Sequence, residues 1–125
     1  MILCDTNILI NYFKGDTALM NELDNIGFSR LAISAVTAAE MYFGMHKGEI
    51  RKTKELINKF SIFDIDKNIS KGFVEIIFEH KNQLSIADAI IAATALDNAV
   101  QLYTYNIKDF DFIKGVKLYK PKFKK

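Results

Sequence analysis

Four acidic residues stand where apolar segments of the chain begin or end. They are Asp5 after the apolar run 1–4, Glu40, Asp88 inside the apolar run 86–93, and Asp109. A carboxylate in an apolar environment is costly unless it is paired or binds a cation. A chain that repeats this placement is therefore expected to gather its acids at one site. Oxygen ligands around a cleft suit a hard cation such as Mg²⁺ or Mn²⁺.

Each of these acids also has a structural explanation when it is taken alone. Asp5 can cap the helix that follows it, and Asp88 can be a charge in a first helical turn, where the helix dipole favours an anion. Glu40 alone is more simply an exposed helix charge, and Asp109 is an ordinary loop acid. The joint pattern, rather than any one residue, indicates a site.

Short apolar segments alternate with helical patterns along the chain. Strands are expected at residues 1–5, 31–33, 62–65, 101–105 and 116–119. Helices are expected from Thr6 to before Gly15, from Asp16 to Gly27, and over residues 34–45, 49–60, 69–82 and 85–99. In the fourth helix the expected buried stripe is Ile50, Leu56, Ile57 and Phe60.

This alternation predicts a three-layer α/β domain with a mainly parallel central sheet flanked by helices. Parallel sheets bind ligands outside the carboxyl ends of their strands. Asp5 lies at such an end and Asp109 just beyond another, while Glu40 and Asp88 fall in early turns of helices. Convergence of the four acids at one edge of the sheet is therefore expected. Without a linker, repeat or low-complexity stretch, residues 1–125 are predicted to form a single domain.

Composition indicates an ordinary globular protein of 125 residues, with 50% hydrophobic and 26% charged residues. The single cysteine, Cys4, excludes an internal disulfide and a cysteine metal cluster, and it suits a reducing cytosol. The N-terminus does not resemble a signal peptide. No apolar run reaches the roughly 18 residues that a membrane span needs. We therefore expect a cytoplasmic protein without a membrane segment.

The C-terminal end of the chain is basic, although the net charge of +2 does not by itself indicate a nucleic-acid partner. The lysines concerned are Lys114, Lys117, Lys120, Lys122, Lys124 and Lys125. A solvated, lysine-rich tail is the simpler interpretation. The functional alternative is a rim that attracts phosphates toward the acidic site.

The acidic motifs resemble the PIN-domain family, and most closely its VapC-type toxin ribonucleases. Four segments carry the resemblance, in the family's order and across nearly the whole chain: 2–7, 33–40, 87–95 and 104–110. The resemblance implies a compact α/β fold and a metal-dependent endoribonuclease that hydrolyses RNA phosphodiester bonds. It also implies a cognate antitoxin as inhibitor and a homodimer.

By position, the resemblance implies that Asp5, Glu40 and Asp88 form the acidic site. Asp5 and Asp88 are the expected primary ligands of Mg²⁺, for which Mn²⁺ can substitute. Glu40 is expected to ligate directly or through water. Some members have an acid where this chain has Asn106, whereas others use the acid three residues later, here Asp109. Both assignments of the fourth position stay open.

Four polar side chains are expected to support the site. Thr6, Asn7 and Thr104 can hold the carboxylates by hydrogen bonds, and Asn106 can orient a water or a ligand. Helix capping explains Thr6 and Asn7 equally well.

Other functional classes fit the sequence less well. A phospho-receiver domain would show an acidic pair after its first strand, and a dehalogenase-type phosphatase would show two acids separated by one residue. Here Thr6 and Asn7 follow Asp5. The main alternative is a PIN-like module that binds RNA or protein with little or no nuclease activity.

Overall fold

Four short strands form a parallel sheet in this computed structural model, which describes residues 1–123. They are β1 (Ile2–Cys4), β2 (Leu31–Ser34), β3 (Ser61–Phe63) and β4 (Gln101–Tyr103). The strand order is β3-β2-β1-β4, and each neighbouring pair is parallel. From β1 to β3 the strands are added on one side of β1, and β4 is then added on its other side. Parallel sheets bind ligands where the strand order reverses in this way, which here is between β1 and β4.

Six α-helices of residues 1–123 connect and cover these strands. They are α1 (Thr6–Phe13), α2 (Thr17–Ile26), α3 (Ala35–Gly44), α4 (Ile50–Ile57), α5 (Lys67–His80) and α6 (Ile86–Asp97). Side chains of Asp5, Asp16, Ser34, Asp66 and Ser85 accept hydrogen bonds from first-turn N–H groups. These N–H groups have no partner within the helix, so short polar side chains fix the helix starts.

The sheet separates two hydrophobic cores. Along β1, Ile2 and Cys4 face one core, whereas Leu3 faces the other, because successive strand residues point to opposite faces. The first core contains buried side chains of α1, α2 and α4, and the second contains those of α5 and α6. The predicted three-layer α/β fold is thus confirmed, and a single domain over residues 1–125 stays a prediction.

Two local predictions are wrong. Ile50 is 49% exposed, because it is the first residue of α4 and the buried face of that helix begins one turn later at Thr53. The strand expected at 116–119 is a single parallel bridge, Leu102–Leu118. Pairing of this segment with β4 is short because β4 has only three residues. Pro121, which follows closely, lacks the N–H that further pairing would need.

A buried glutamate anchors the C-terminal segment. Glu22 of α2 is 0% exposed, and its carboxylate accepts hydrogen bonds from the Tyr119 hydroxyl and from the N–H groups of Lys122 and Phe123, both at 2.7 Å. A buried carboxylate needs such donors to offset its lost hydration. The predicted elements contained no signal for this contact, which joins residues about one hundred positions apart.

Lys122 lies away from the acidic site, and attraction of phosphates by the lysine-rich end stays a prediction. This residue lines a pocket together with Met1, Ile2 and Gln101, at the amino-terminal start of β1 and β4. Asp5 lies beyond the opposite, carboxyl end of β1. Lys124 and Lys125 lie outside the described residues. No helix within residues 1–123 has the length and apolar character to cross a membrane.

Candidate active site

Asp5 is fixed in orientation at the end of β1. Its backbone N–H donates to the Tyr103 carbonyl at 2.9 Å, which continues the pairing of β1 with β4. Its carboxylate accepts hydrogen bonds from Thr6 N (2.8 Å), Thr104 Oγ1 (2.8 Å) and Asn7 Nδ2 (3.0 Å). With Asp5 only 4% exposed, these donors hold one rotamer of a nearly buried carboxylate.

Asn7 and Thr104 connect α1 to the segment that follows β4. The side-chain oxygen of Asn7 accepts from Tyr105 N at 3.2 Å, while Thr104 Oγ1 accepts from Asn106 N at 3.0 Å. Asn106 therefore supports Asp5 through its backbone, and its side chain is exposed. Three of the four expected supporting residues, Thr6, Asn7 and Thr104, contact the Asp5 carboxylate directly.

Glu40 lies on α3 and reaches the site through a threonine. Its Oε1 lies 2.7 Å from Thr6 Oγ1, which also lies 3.0 Å from Thr37 Oγ1. Thr37 is fully buried, whereas Glu40 is exposed. Sequence reasoning missed Thr37. The available signal was its spacing of three residues before Glu40, which puts both side chains on one helix face.

The pKa values of Asp5 and Asp88 are raised by burial and by the neighbouring acids. Burial raises the pKa of Asp88 to about 6, and the negative charges of Asp5, Asp109 and Glu40 add to this effect, while a hydrogen bond with Ser85 opposes it. Burial also raises the pKa of Asp5, against the lowering effect of its bonds from Thr104 and Thr6. Glu40 and Asp109 raise the pKa of Asp5 further. The structure thus brings all four predicted acids to one edge of the sheet.

The donor set suits a divalent cation, although the acids do not surround one point. Within residues 1–123 no group of three or more His, Cys, Asp or Glu side chains is placed so that it could hold a metal ion. Carboxylates that repel one another favour a cation, and Mg²⁺ is often held by one or two carboxylates, waters and substrate phosphates. Asp5 is the strongest charged influence on Asp88. These two residues are therefore the pair that could hold such an ion.

An open cavity of about 330 Å³ adjoins Glu40. Phe13, Met41, His46 and Thr53 also line it. The hydroxyl of Thr53 is buried and has no hydrogen-bond partner among residues 1–123. Apolar and polar groups thus lie side by side next to a candidate active-site acid.

Cys4 and His80 are two further side chains with reactive groups, and both are held by packing. Burial raises the pKa of the Cys4 thiol far above its usual range, so the nucleophilic thiolate is disfavoured. The His80 ring packs edge-on against Phe112, with ring centres 5.0 Å apart. Both residues are explained by packing.

The domain family follows from comparison of the whole sequence with known families. A family model described as the PIN domain matches residues 2–114. The chain belongs to the PIN-domain family. The predicted resemblance is thereby confirmed over nearly the whole chain.

Similar curated proteins carry VapC names. Ribonuclease VapC1 of Methanocaldococcus jannaschii is 37% identical over 127 residues, covering 94% of this chain and 86% of that protein. Ribonuclease VapC10 of Mycobacterium tuberculosis is 30% identical over 121 residues, covering 94% of this chain and 91% of that protein. Both relatives are thus matched across most of their own length.

Solved structures show the same fold. A toxin–antitoxin complex from Klebsiella pneumoniae contains a chain with a TM-score of 0.80 and 35% identity, covering 93% of this chain and 95% of that one. A DNA-bound VapBC structure from Salmonella typhimurium contains a chain with a TM-score of 0.85. That chain is 21% identical to this one, and the match covers 94% of this chain and 96% of that one. At so low an identity the likeness supports the fold alone.

Proposed function

We propose that this PIN-domain protein is a metal-dependent endoribonuclease and the toxin of a toxin–antitoxin pair. The observation that carries the proposal is the fixed, nearly buried Asp5 carboxylate within the electrostatic reach of Asp88, Glu40 and Asp109. Burying acids together is costly, and a bound cation relieves that cost. The ribonuclease names of the VapC relatives support the reaction class.

Each acid has a proposed role in phosphodiester hydrolysis. When bound, Mg²⁺ or Mn²⁺ supplies Lewis acidity at a phosphodiester oxygen and helps to generate the attacking nucleophile. Asp5 and Asp88 would hold the cation, with Asp5 oriented by Thr104 and Asn7. Glu40 would ligate it directly or through water, and Asp109 would complete the shell or orient the attacking water.

The proposed partners are RNA, a cognate antitoxin and a second copy of this chain. The Klebsiella relative was solved as a toxin–antitoxin complex, which supports an antitoxin partner. An arginine or lysine of the antitoxin would pair with the site's carboxylates, or displace the cation. Self-association is supported by the exposed apolar side chains Val74 (61%) and Phe78 (77%), one turn apart on α5.

A second candidate function is a PIN-like module that binds RNA or protein with little or no nuclease activity. One observation favours it, namely that no three metal-ligating side chains converge within the described part of the chain. The clustering of four acids favours catalysis, because a purely structural role requires no such mutual repulsion.

An RNA-cleavage assay tests the proposal. Asp5→Asn and Asp88→Asn should each lower cleavage by about a thousandfold or more, because each removes a ligand of the proposed cation. Asp97→Asn is the matched control, since Asp97 is exposed at the other end of α6. Cleavage is measured with Mg²⁺, with Mn²⁺ and with a chelator, and circular dichroism checks the fold.

The outcomes separate the two candidate functions. RNA binding without cleavage in either cation would favour the binding module. Full activity in Asp5→Asn or Asp88→Asn would remove that residue from the proposed ligands.

A further inference from the structure

A chain of hydroxyl groups runs from the core to the edge of the acidic site. Thr37 Oγ1 lies 3.0 Å from Thr6 Oγ1, and Thr6 Oγ1 lies 2.7 Å from Glu40 Oε1. Thr37 is 0% exposed, while Glu40 is exposed. These atoms therefore link a buried position of α3 to an exposed acid on the same helix, by way of the first residue of α1.

The number of hydroxyl protons fixes the direction of hydrogen-bond donation among these side chains. A hydroxyl carries one proton, and a carboxylate only accepts. Thr6 therefore gives its proton to Glu40, in the shorter and charge-assisted bond. Thr6 Oγ1 then has only lone pairs left for Thr37, so the Thr37 hydroxyl must donate to Thr6. The resulting order of donation is Thr37 to Thr6 to Glu40.

This order of donation restricts Glu40. An exposed glutamate on a helix samples several rotamers. Donation by Thr37 fixes the Thr6 hydroxyl and polarises it, since consecutive hydrogen bonds strengthen one another. The bond from Thr6 then selects the Glu40 rotamer that keeps its carboxylate beside the first turn of α1, where Asp5 is held.

We propose that Thr37 is a positioning residue that holds Glu40 in its active rotamer through the Thr6 hydroxyl. The inference rests on the proposed endoribonuclease function for its kinetic consequence. Because Thr37 is fully buried, it touches neither RNA nor a cation and acts through Thr6 and Glu40.

Substitutions that keep or remove the hydroxyl test this role. Thr37→Val keeps the branched shape and removes the donor, whereas Thr37→Ser keeps the donor. Thr94→Val is the matched control, because Thr94 is also 0% exposed but donates to the Ile90 carbonyl within α6 at 2.7 Å. We expect Thr37→Val to lower kcat about tenfold with KM unchanged, and Thr37→Ser and Thr94→Val to keep the parental kcat.

A double-mutant cycle tests whether Thr37 acts through Glu40. In a Glu40→Ala background, Thr37→Val should cause no further loss of kcat, because the acceptor of the hydroxyl chain is already removed. Thr6→Val breaks the chain in the middle and should match Thr37→Val, so it serves if Thr37→Val does not fold. Parental kcat in Thr37→Val, or the same fold-loss in both backgrounds, would overturn the proposal.

A measurement independent of activity separates this inference from the proposed function. In protein free of metal and RNA, NMR three-bond couplings report the χ1 rotamer of Glu40. We expect one dominant rotamer in the parent and rotamer averaging in Thr37→Val but not in Thr37→Ser. Averaging already present in the parent would contradict the positioning role. A parent that keeps one rotamer but cleaves no RNA would instead contradict the proposed function.

Discussion

Asp5 and Asp88 differ in how the protein compensates their charge. Asp5 is nearly buried but accepts hydrogen bonds from Thr6, Asn7 and Thr104. Burial dominates at Asp88 and raises its pKa from 3.8 to about 6. The ionised form of Asp88 is therefore costly in the free protein and is the form that a bound cation would favour.

The raised pKa of Asp88 predicts a measurable dependence of stability on pH. The folded protein binds the Asp88 proton more tightly than the unfolded chain, so this residue's contribution to the free energy of unfolding falls as pH rises from 3.8 to about 6. At pH 7 without divalent cations, Asp88→Asn should be more stable than the parent by about 1 kcal/mol, allowing for solvent screening of a half-buried group.

Urea unfolding at several pH values measures this difference. The difference in the free energy of unfolding between the parent and Asp88→Asn should develop between pH 4 and 6, the range set by the unfolded and folded pKa values of Asp88. Asp97→Asn, on the exposed end of the same helix, is the matched control. A parental pH dependence in Asp88→Asn would show that burial does not raise its pKa.

The fourth acidic position also has a test at the residue scale. Asp109 raises the pKa of both Asp5 and Asp88, so its carboxylate contributes to the field of the site. Asn106 contacts Thr104 through its backbone N–H, which survives substitution of the side chain. We expect Asp109→Asn to lower kcat/KM for RNA cleavage about tenfold and Asn106→Ala to change it less than twofold. The reverse result would assign the fourth position to Asn106.

At the scale of single elements, helix starts bring two of the acids into the site. Asp5 is the N-cap of α1, and Asp88 lies in the first turn of α6 behind its cap, Ser85. The capping and site roles of Asp5 are therefore compatible rather than alternative. A helix N-terminus also favours the carboxylate form through its partial positive charge.

The cap of α6 gives an element-scale prediction. Ser85 Oγ accepts a hydrogen bond from Asp88 N at 3.1 Å. Ser85→Ala should lower the free energy of unfolding by about 1 kcal/mol and raise the Asp88 pKa further, because a bond that lowers this pKa is lost. Ser70→Ala, at an exposed position inside α5, should not destabilise the protein. Chemical unfolding and NMR titration measure the two effects, and an unchanged Asp88 pKa would exclude the electrostatic role of Ser85.

At the scale of the whole molecule, exposed apolar side chains remain on two helical surfaces. Phe43 of α3 is 95% exposed, and Val74 and Phe78 of α5 are 61% and 77% exposed. Large apolar groups on a small protein mark surfaces that associate with a partner. Binding of the two proposed partners, a second copy and an antitoxin, would bury these apolar side chains and so explain their exposure in the single chain.

Light scattering at micromolar concentration tests the proposed homodimer. We expect a dimer for the parent and a monomer for Phe78→Asp, because a charge at this position would have to be desolvated in the interface. Phe43→Asp is the comparison variant and should remain dimeric. Dissociation of Phe43→Asp alone would move the interface to α3, and a strictly monomeric parent would exclude self-association.

The sequence by itself determined the order of the elements and most helix starts. Capping side chains and hydrophobic periodicity act within a few residues, so Asp5, Asp16, Ser34 and Ser85 mark helix starts without knowledge of the fold. Convergence of the acids was also predictable, since the carboxyl ends of parallel strands share one edge.

The tertiary structure decided the contacts between segments that are distant along the chain. The donation from Thr104 to Asp5 spans 99 residues, the Thr6–Thr37 contact spans 31, and Glu22 binds the backbone of Lys122 across 100. No local pattern specifies such pairs, because they depend on how α1, α2 and α3 pack on the sheet. The same packing placed Lys122 at the edge of the sheet away from the acids.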